Sequence, residues 1–227
     1  MNERLDAYRK TAYEVSLILG RLGQPVTSST TGDIVWATHL DEQSPFGPEI
    51  YKYTLAVSPT GRKIIKNIGP FLQQLEAGKF EPTIRSFNEI TGLRGVVKRT
   101  SIGGFLKPIP VYVKTLRPVA GFGLDITGIE QFTAMRLLEV NGVQVAPPLL
   151  ATRYRLVTRE VVGLPAHESS ATFRNYLNSL NGLREQLISQ GLWNEEWRIE
   201  EQPSNYLQTL RGIVAIDPIF RNSAFLW

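Results

Sequence analysis

Between Ser170 and Gln190, Phe173, Tyr176, Leu177, Leu180, Leu183, Leu187 and Ile188 recur at helical spacing. They therefore lie along one side of an α-helix, and Gly191 ends it. An apolar stripe of this length has to be taken out of water by another element. The segment that follows is suited to cover it. Trp193 and Trp197 carry large apolar area, Glu196 to Glu201 reads as a strand, Gln202-Pro203-Ser204-Asn205 as a turn, and Gly212 to Phe220 as a second strand.

A second stripe opens the chain. Leu5, Tyr8, Ala12, Val15, Leu19 and Leu22 predict a helix over residues 3–22, with Asn2 able to cap it and Gly23 and Pro25 to stop it. From Val26 the pattern turns to β, with strands expected over 33–39, 49–58 and 62–67; Ser58-Pro59-Thr60-Gly61 reads as the tight turn of a hairpin joining the last two. The loop 43–48 carries Phe46 between two prolines and reads first as a rigid connection, with a contact finger as the alternative. Two short helices are expected over 70–77 and 83–90, and β structure again from Leu93 to Leu116, where Pro110 suits the start of a strand or an edge. Residues 131–140 fit a helix or a strand, and Asn141-Gly142 is a hairpin signal. Leu149 to Val162 reads as one long strand with Arg153, Arg155 and Arg159 on a single face, able to meet phosphates or an acidic partner surface. The resulting expectation is an α+β protein, one domain over 1–227 with a seam near 147–165 if it is divided. Mainly antiparallel sheet is flanked by the helices at 3–22 and 170–190.

Composition removes several classes of chemistry. The chain has no cysteine, so disulfides and thiolate chemistry are excluded, and two histidines, His39 and His167, are too few for a histidine-rich metal site. No Gly-x-Ser-x-Gly elbow accompanies them, and neither Gly103-Gly104 nor Gly121-Phe122-Gly123 has the context of a dinucleotide fingerprint. No run reaches the ~18 apolar residues of a membrane span and no signal-peptide pattern opens the chain, so cytoplasmic synthesis and no membrane partner are expected. A net charge of +4 leaves nucleic acid open as a partner without favouring it.

One stretch carries candidate chemistry. Arg198-Ile199-Glu200-Glu201-Gln202-Pro203-Ser204-Asn205, followed by Gly212-Ile213-Val214-Ala215-Ile216-Asp217-Pro218, resembles the catalytic segment of protein-kinase-like folds, small phage-encoded ones included. The resemblance implies that Glu200, standing where that family has Asp, orients a hydroxyl. It also implies that Asn205 and Asp217 hold Mg²⁺ against phosphates, with Val26 to Gly32 as a phosphate loop and Lys52 or Lys66 as the strand lysine. Read from the residues alone, Asn205 is a turn residue, Asp217-Pro218 ends a strand, and no cofactor or metal is expected.

On that second reading the chain is a non-catalytic assembly subunit of a symmetric particle, a bacteriophage tail, neck or baseplate component incorporated in a virion. It would contact other copies of itself or other subunits through Leu5, Tyr8, Val15, Leu19, Leu22, Phe46, Arg153, Arg155, Arg159, Phe225 and Trp227. This is the primary expectation. The alternative is a protein-kinase-like phosphotransferase or pseudokinase using Glu200, Asn205, Asp217 and Lys66.

Overall fold

The computed structural model describes residues 25–38, 52–65, 71, 90–92, 95–102, 108–116, 126–152 and 154–221. The expected helix over 3–22 with its interface residues Leu5, Tyr8, Val15, Leu19 and Leu22 lies outside them. So do His39, Phe46, Lys66, Arg153, Phe225, Trp227 and, Phe71 and Ile90 apart, the two short helices.

Eight strands form one sheet. In chain order they are β1 (Pro25–Thr27), β2 (Ile34–Thr38), β3 (Lys52–Val57), β4 (Ile90–Gly92), β5 (Gly95–Ile102), β6 (Ile109–Leu116), β7 (Pro148–Thr152) and β8 (Arg155–Arg159). In space the order is β1-β2-β3-β7-β8-β6-β5-β4, with every neighbouring pair antiparallel. Because side chains alternate across a strand, the strands at the middle of the sheet serve two cores. Leu55, Val57, Val111, Val113, Leu150 and Val157 face one of them, together with Ile65 and Phe71. Ala56, Ala151 and Leu156 face the other, and on β6 this is the side that carries Tyr112 and Lys114.

The second face is covered by the helix α2 (Gly128–Val140); α1 (Pro59–Ile64) packs against β7. Residues 131–140, open between helix and strand in the sequence, are helical because the N-terminus is closed by a full capping box. Thr127 Oγ1 accepts from Glu130 N–H, and Glu130 returns a bond to Thr127 N–H at 2.8 Å. Nine of its thirteen residues are buried, so no amphipathic stripe shows in the sequence. Gly128 is required at its start: a Cβ there would lie 2.4 Å from the carbonyl oxygens of Arg155 and Thr152, so only glycine lets the helix end meet the β7–β8 hairpin.

The helix predicted at 170–190 is α3 (Ala171–Ser189), capped by Ser170 Oγ and ended by Gly191 at φ +68. Phe173, Leu180 and Leu187 are buried from it, in one core with Trp193, Trp197 and Tyr206. The rest of the chain supplies β9 (Leu164–Pro165), β10 (Trp197–Ile199), a 3-10 turn (Pro203–Asn205), β11 (Tyr206–Thr209), β12 (Gly212–Ala215) and β13 (Ile219–Arg221). They make a three-stranded sheet, β12-β11-β9, and a two-stranded one, β10-β13. The fold class is α+β with mainly antiparallel sheet.

Four local expectations are corrected. Ser58-Pro59-Thr60-Gly61 caps and opens α1, with Gly61 N–H donating to Ser58 Oγ at 2.9 Å, and is not a hairpin turn. Asn141-Gly142 ends α2, Gly142 taking φ +84, and the Asn141 amide donates to Leu137 O. The single strand 149–162 is the hairpin β7–β8; Arg155 and Arg159 both fall on β8, on one face, the first buried and the second exposed. The strand 212–220 is interrupted at 216–218, between β12 and β13.

Candidate functional site

Backbone hydrogen bonds bring Glu200, Asn205 and Asp217 to one place. β10 pairs Ile199 with Ile219, and one residue further Glu200 N–H donates to Pro218 O at 2.7 Å. The Asn205 carbonyl accepts from Ile216 N–H at 2.9 Å and from Asp217 N–H at 3.4 Å. Asn205 and Asp217, twelve residues apart, are thus strapped together just where β12 stops. Tyr206, at 0% exposure, packs edge-on against Phe173 and Tyr176, with ring centroids 5.0 and 5.9 Å away, and its hydroxyl donates to the Glu200 carbonyl. Burial raises the pKa of that phenol, which keeps it a donor. Among the described residues neither the Glu200 carboxylate nor the Asn205 amide takes a side-chain hydrogen bond.

The sheet adds a cation. Lys114 Nζ lies 2.5 Å from Asp217 Oδ2, with side chains 14% and 36% exposed. The helix adds an amide. Gln131, buried on α2, directs Nε2 to Asp217 Oδ1 at 3.4 Å and to Ile219 O at 3.3 Å. Both neighbours are acceptors, which fixes the orientation of the amide and leaves its Oε1 buried with no hydrogen-bond partner. An orphaned acceptor next to a carboxylate commonly marks a place where a donor or a hydrated cation belongs. α2 is held over this spot by its capping box and by the Trp197 indole N–H, 3.4 Å from Glu130 Oε1.

No group of three His, Cys, Asp or Glu side chains suited to a metal occurs among the described residues. Asp217 and Asn205, a carboxylate and an amide whose backbones are hydrogen-bonded to each other where β12 ends, do offer oxygens of the kind Mg²⁺ takes. That ion keeps most of its water and takes one or two protein oxygens together with phosphates.

Three of the residues singled out in the sequence, Glu200, Asn205 and Asp217, are therefore brought together; the lysine is a different one. Lys66 lies outside the described residues, and Lys52 is on β3, separated from β6 by β7 and β8. The expected phosphate loop, Val26 to Gly32, is also corrected. It begins within β1 and leads toward β2, further still from β6, and Thr31 O accepts from Arg136 of α2 at 2.7 Å while Gly32 O accepts from Arg62 of α1 at 2.9 Å. Sequence reasoning missed Lys114 and Gln131. Val111-Tyr112-Val113-Lys114 was the available signal for the first, an alternation along one strand ending in lysine. Nothing in the sequence marks Gln131.

No family model matches this chain, and no curated protein matches it. Among solved structures it is similar to the crystal structure of the Rio2 kinase-ADP/Mg²⁺-phosphoaspartate complex from Chaetomium thermophilum. The identity is 14% and the TM-score 0.42, over 80% of this chain and 57% of that one. The chain thus spans little more than half the length of that kinase, and the likeness is a weak protein-kinase-like resemblance of fold. The expectation of a non-catalytic virion subunit is corrected accordingly. The similar structure is a kinase.

Proposed function

We propose that this chain is a protein-kinase-like phosphotransferase, which binds a magnesium-complexed phosphate donor between β6, α2 and the Glu200–Asp217 segment and passes a phosphoryl group to a hydroxyl. The observation that carries the reading is the convergence of Lys114, Asp217 and the backbone-strapped Asn205 beside the unpartnered Gln131 oxygen. Phosphoryl transfer asks little covalent chemistry of a protein; it asks for positioned charge and a positioned hydroxyl. Asp217 and Asn205 would hold Mg²⁺, whose part is to neutralise phosphate charge. Lys114 exchanges its carboxylate partner for phosphate oxygens, an ammonium meeting the same kind of acceptor in both states. Glu200, with its backbone fixed by Pro218 and Tyr206 and its carboxylate unbonded, orients the accepting hydroxyl and takes up its proton.

The test is transfer of label from γ-labelled ATP with Mg²⁺ to the chain itself and to a generic protein substrate. Glu200→Gln is expected to slow transfer by about a hundredfold or more while leaving donor binding intact. A wild-type protein that neither transfers nor hydrolyses the γ-phosphate overturns the proposal.

A further inference from the structure

Both oxygens of the Asp217 carboxylate are already engaged. Lys114 Nζ stands 2.5 Å from Oδ2, and the Gln131 amide donates to Oδ1 at 3.4 Å. The two donors come from different elements, β6 of the central sheet and α2, and meet on a residue that follows β12. Among the described residues, Oδ2 is the one acceptor that the Lys114 ammonium reaches. The pair is unevenly covered. The lysine side chain is 14% exposed and the aspartate 36%, so the carboxylate keeps an open side from which a ligand can approach.

This geometry sets the order in which the phosphate site proposed above can fill, and the inference rests on that site. A divalent cation on Asp217 would lie about 2.1 Å from a carboxylate oxygen, and with the ammonium still in place two cations would stand about 4 Å apart on one carboxylate. Lys114 is mostly buried, so water screens that repulsion poorly. Turning the lysine aside instead deprives it of its acceptor. A phosphate group removes the obstacle: it offers the ammonium charged oxygens in exchange for the carboxylate, and a flexible four-carbon stem lets Nζ follow them. We infer that Lys114 holds the cation's place on Asp217, so that a divalent metal ion enters this site in company with phosphate and not ahead of it, because the ammonium sits on one carboxylate oxygen and the Gln131 amide on the other.

Binding of Mn²⁺, in place of Mg²⁺, to the full chain tests this without any turnover, the free ion being followed by its electron paramagnetic resonance signal. The wild type is expected to bind Mn²⁺ weakly alone and about tenfold more tightly with inorganic phosphate present, each ligand helping the other by the same factor. Lys114→Met keeps the stem and removes the charge; it should bind Mn²⁺ alone about tenfold more tightly than the wild type and gain nothing from phosphate. Lys114→Arg keeps a cation and should stay as weak as the wild type. Lys63→Met removes an equal charge from an exposed position on α1 and should change nothing, and Lys114→Met/Asp217→Asn should lose the gain. A Lys114→Met protein that binds Mn²⁺ no more tightly than the wild type, or a Lys63→Met protein that gains as much, overturns the inference. So does a wild type whose Mn²⁺ affinity is unmoved by phosphate, a result that needs no variant. In each of these cases calorimetric titration of the wild type with MgATP decides separately whether the phosphate site stands. If the wild type binds neither MgATP nor Mn²⁺ with phosphate, and Lys114→Met takes up no Mn²⁺, the phosphate site falls, and the inference with it.

Discussion

A methyl group added at Gly128 would meet the Arg155 and Thr152 carbonyl oxygens at 2.4 Å and the Arg155 carbonyl carbon at 2.8 Å. Comfortable contact is about 3.5 Å, so Gly128→Ala must push the start of α2 about 1 Å away from the β7–β8 hairpin. The obstructing atoms are backbone and cannot be moved by a rotamer change. Overpacking of this kind costs about 1–3 kcal/mol, and the upper half of that range applies here. The better helix propensity of alanine returns less than about 1 kcal/mol at the first helical position. A net loss of about 2 kcal/mol corresponds to a fall of about 4–8 °C in Tm for a chain of this size. The site should feel the same shift, because Gln131 follows three residues later and its contact with Asp217 is already long at 3.4 Å. Thermal unfolding by circular dichroism measures the first effect, and donor affinity the second. Gly182→Ala is the control: nothing lies within 4 Å of a Cβ there, and Tm should rise by about 1–4 °C. A Gly128→Ala protein as stable as the wild type, with unchanged donor affinity, would refute the close approach and the link from α2 to the site.

Two further outcomes follow from ion pairs outside the phosphate site. Arg136→Met takes from buried Asp33 its hydrogen-bonded cation, and urea unfolding should show a loss of about 3 kcal/mol, most of it recovered in Arg136→Met/Asp33→Asn. Arg99, by its hydrogen bonds to the Glu160 carboxylate, holds that group below its ordinary value of 4.5. Its contribution to stability is therefore fully present above pH 4.5 and fades as the pH falls below it, so the wild type and Glu160→Gln should converge in Tm on acidification.

What could be read in the sequence depended on whether a residue's partners are near it along the chain. α3 was legible end to end because one face is solvated and Gly191 stops it, and Glu200, Asn205 and Asp217 were legible because they share one local segment. α2 left no periodic trace because it is buried nearly all round. The β7–β8 hairpin was hidden because the sequence between its strands is Arg153-Tyr154, with no glycine, proline or asparagine to signal a turn. Lys114 went unseen because it reaches Asp217 from a strand 103 residues earlier, a distance no local pattern spans.

The most direct test of the phosphate site is the Mg²⁺-dependent thermal shift with ATP in the wild type and in Asp217→Asn. Ligand at about a hundred times its Kd adds about 2.7 kcal/mol, so the wild-type Tm should rise by about 5–10 °C. The rise should shrink without Mg²⁺ and vanish in Asp217→Asn, each shift being taken against its own ligand-free protein. A wild type that does not shift, or an Asp217→Asn variant that shifts as far as the wild type, would contradict the account.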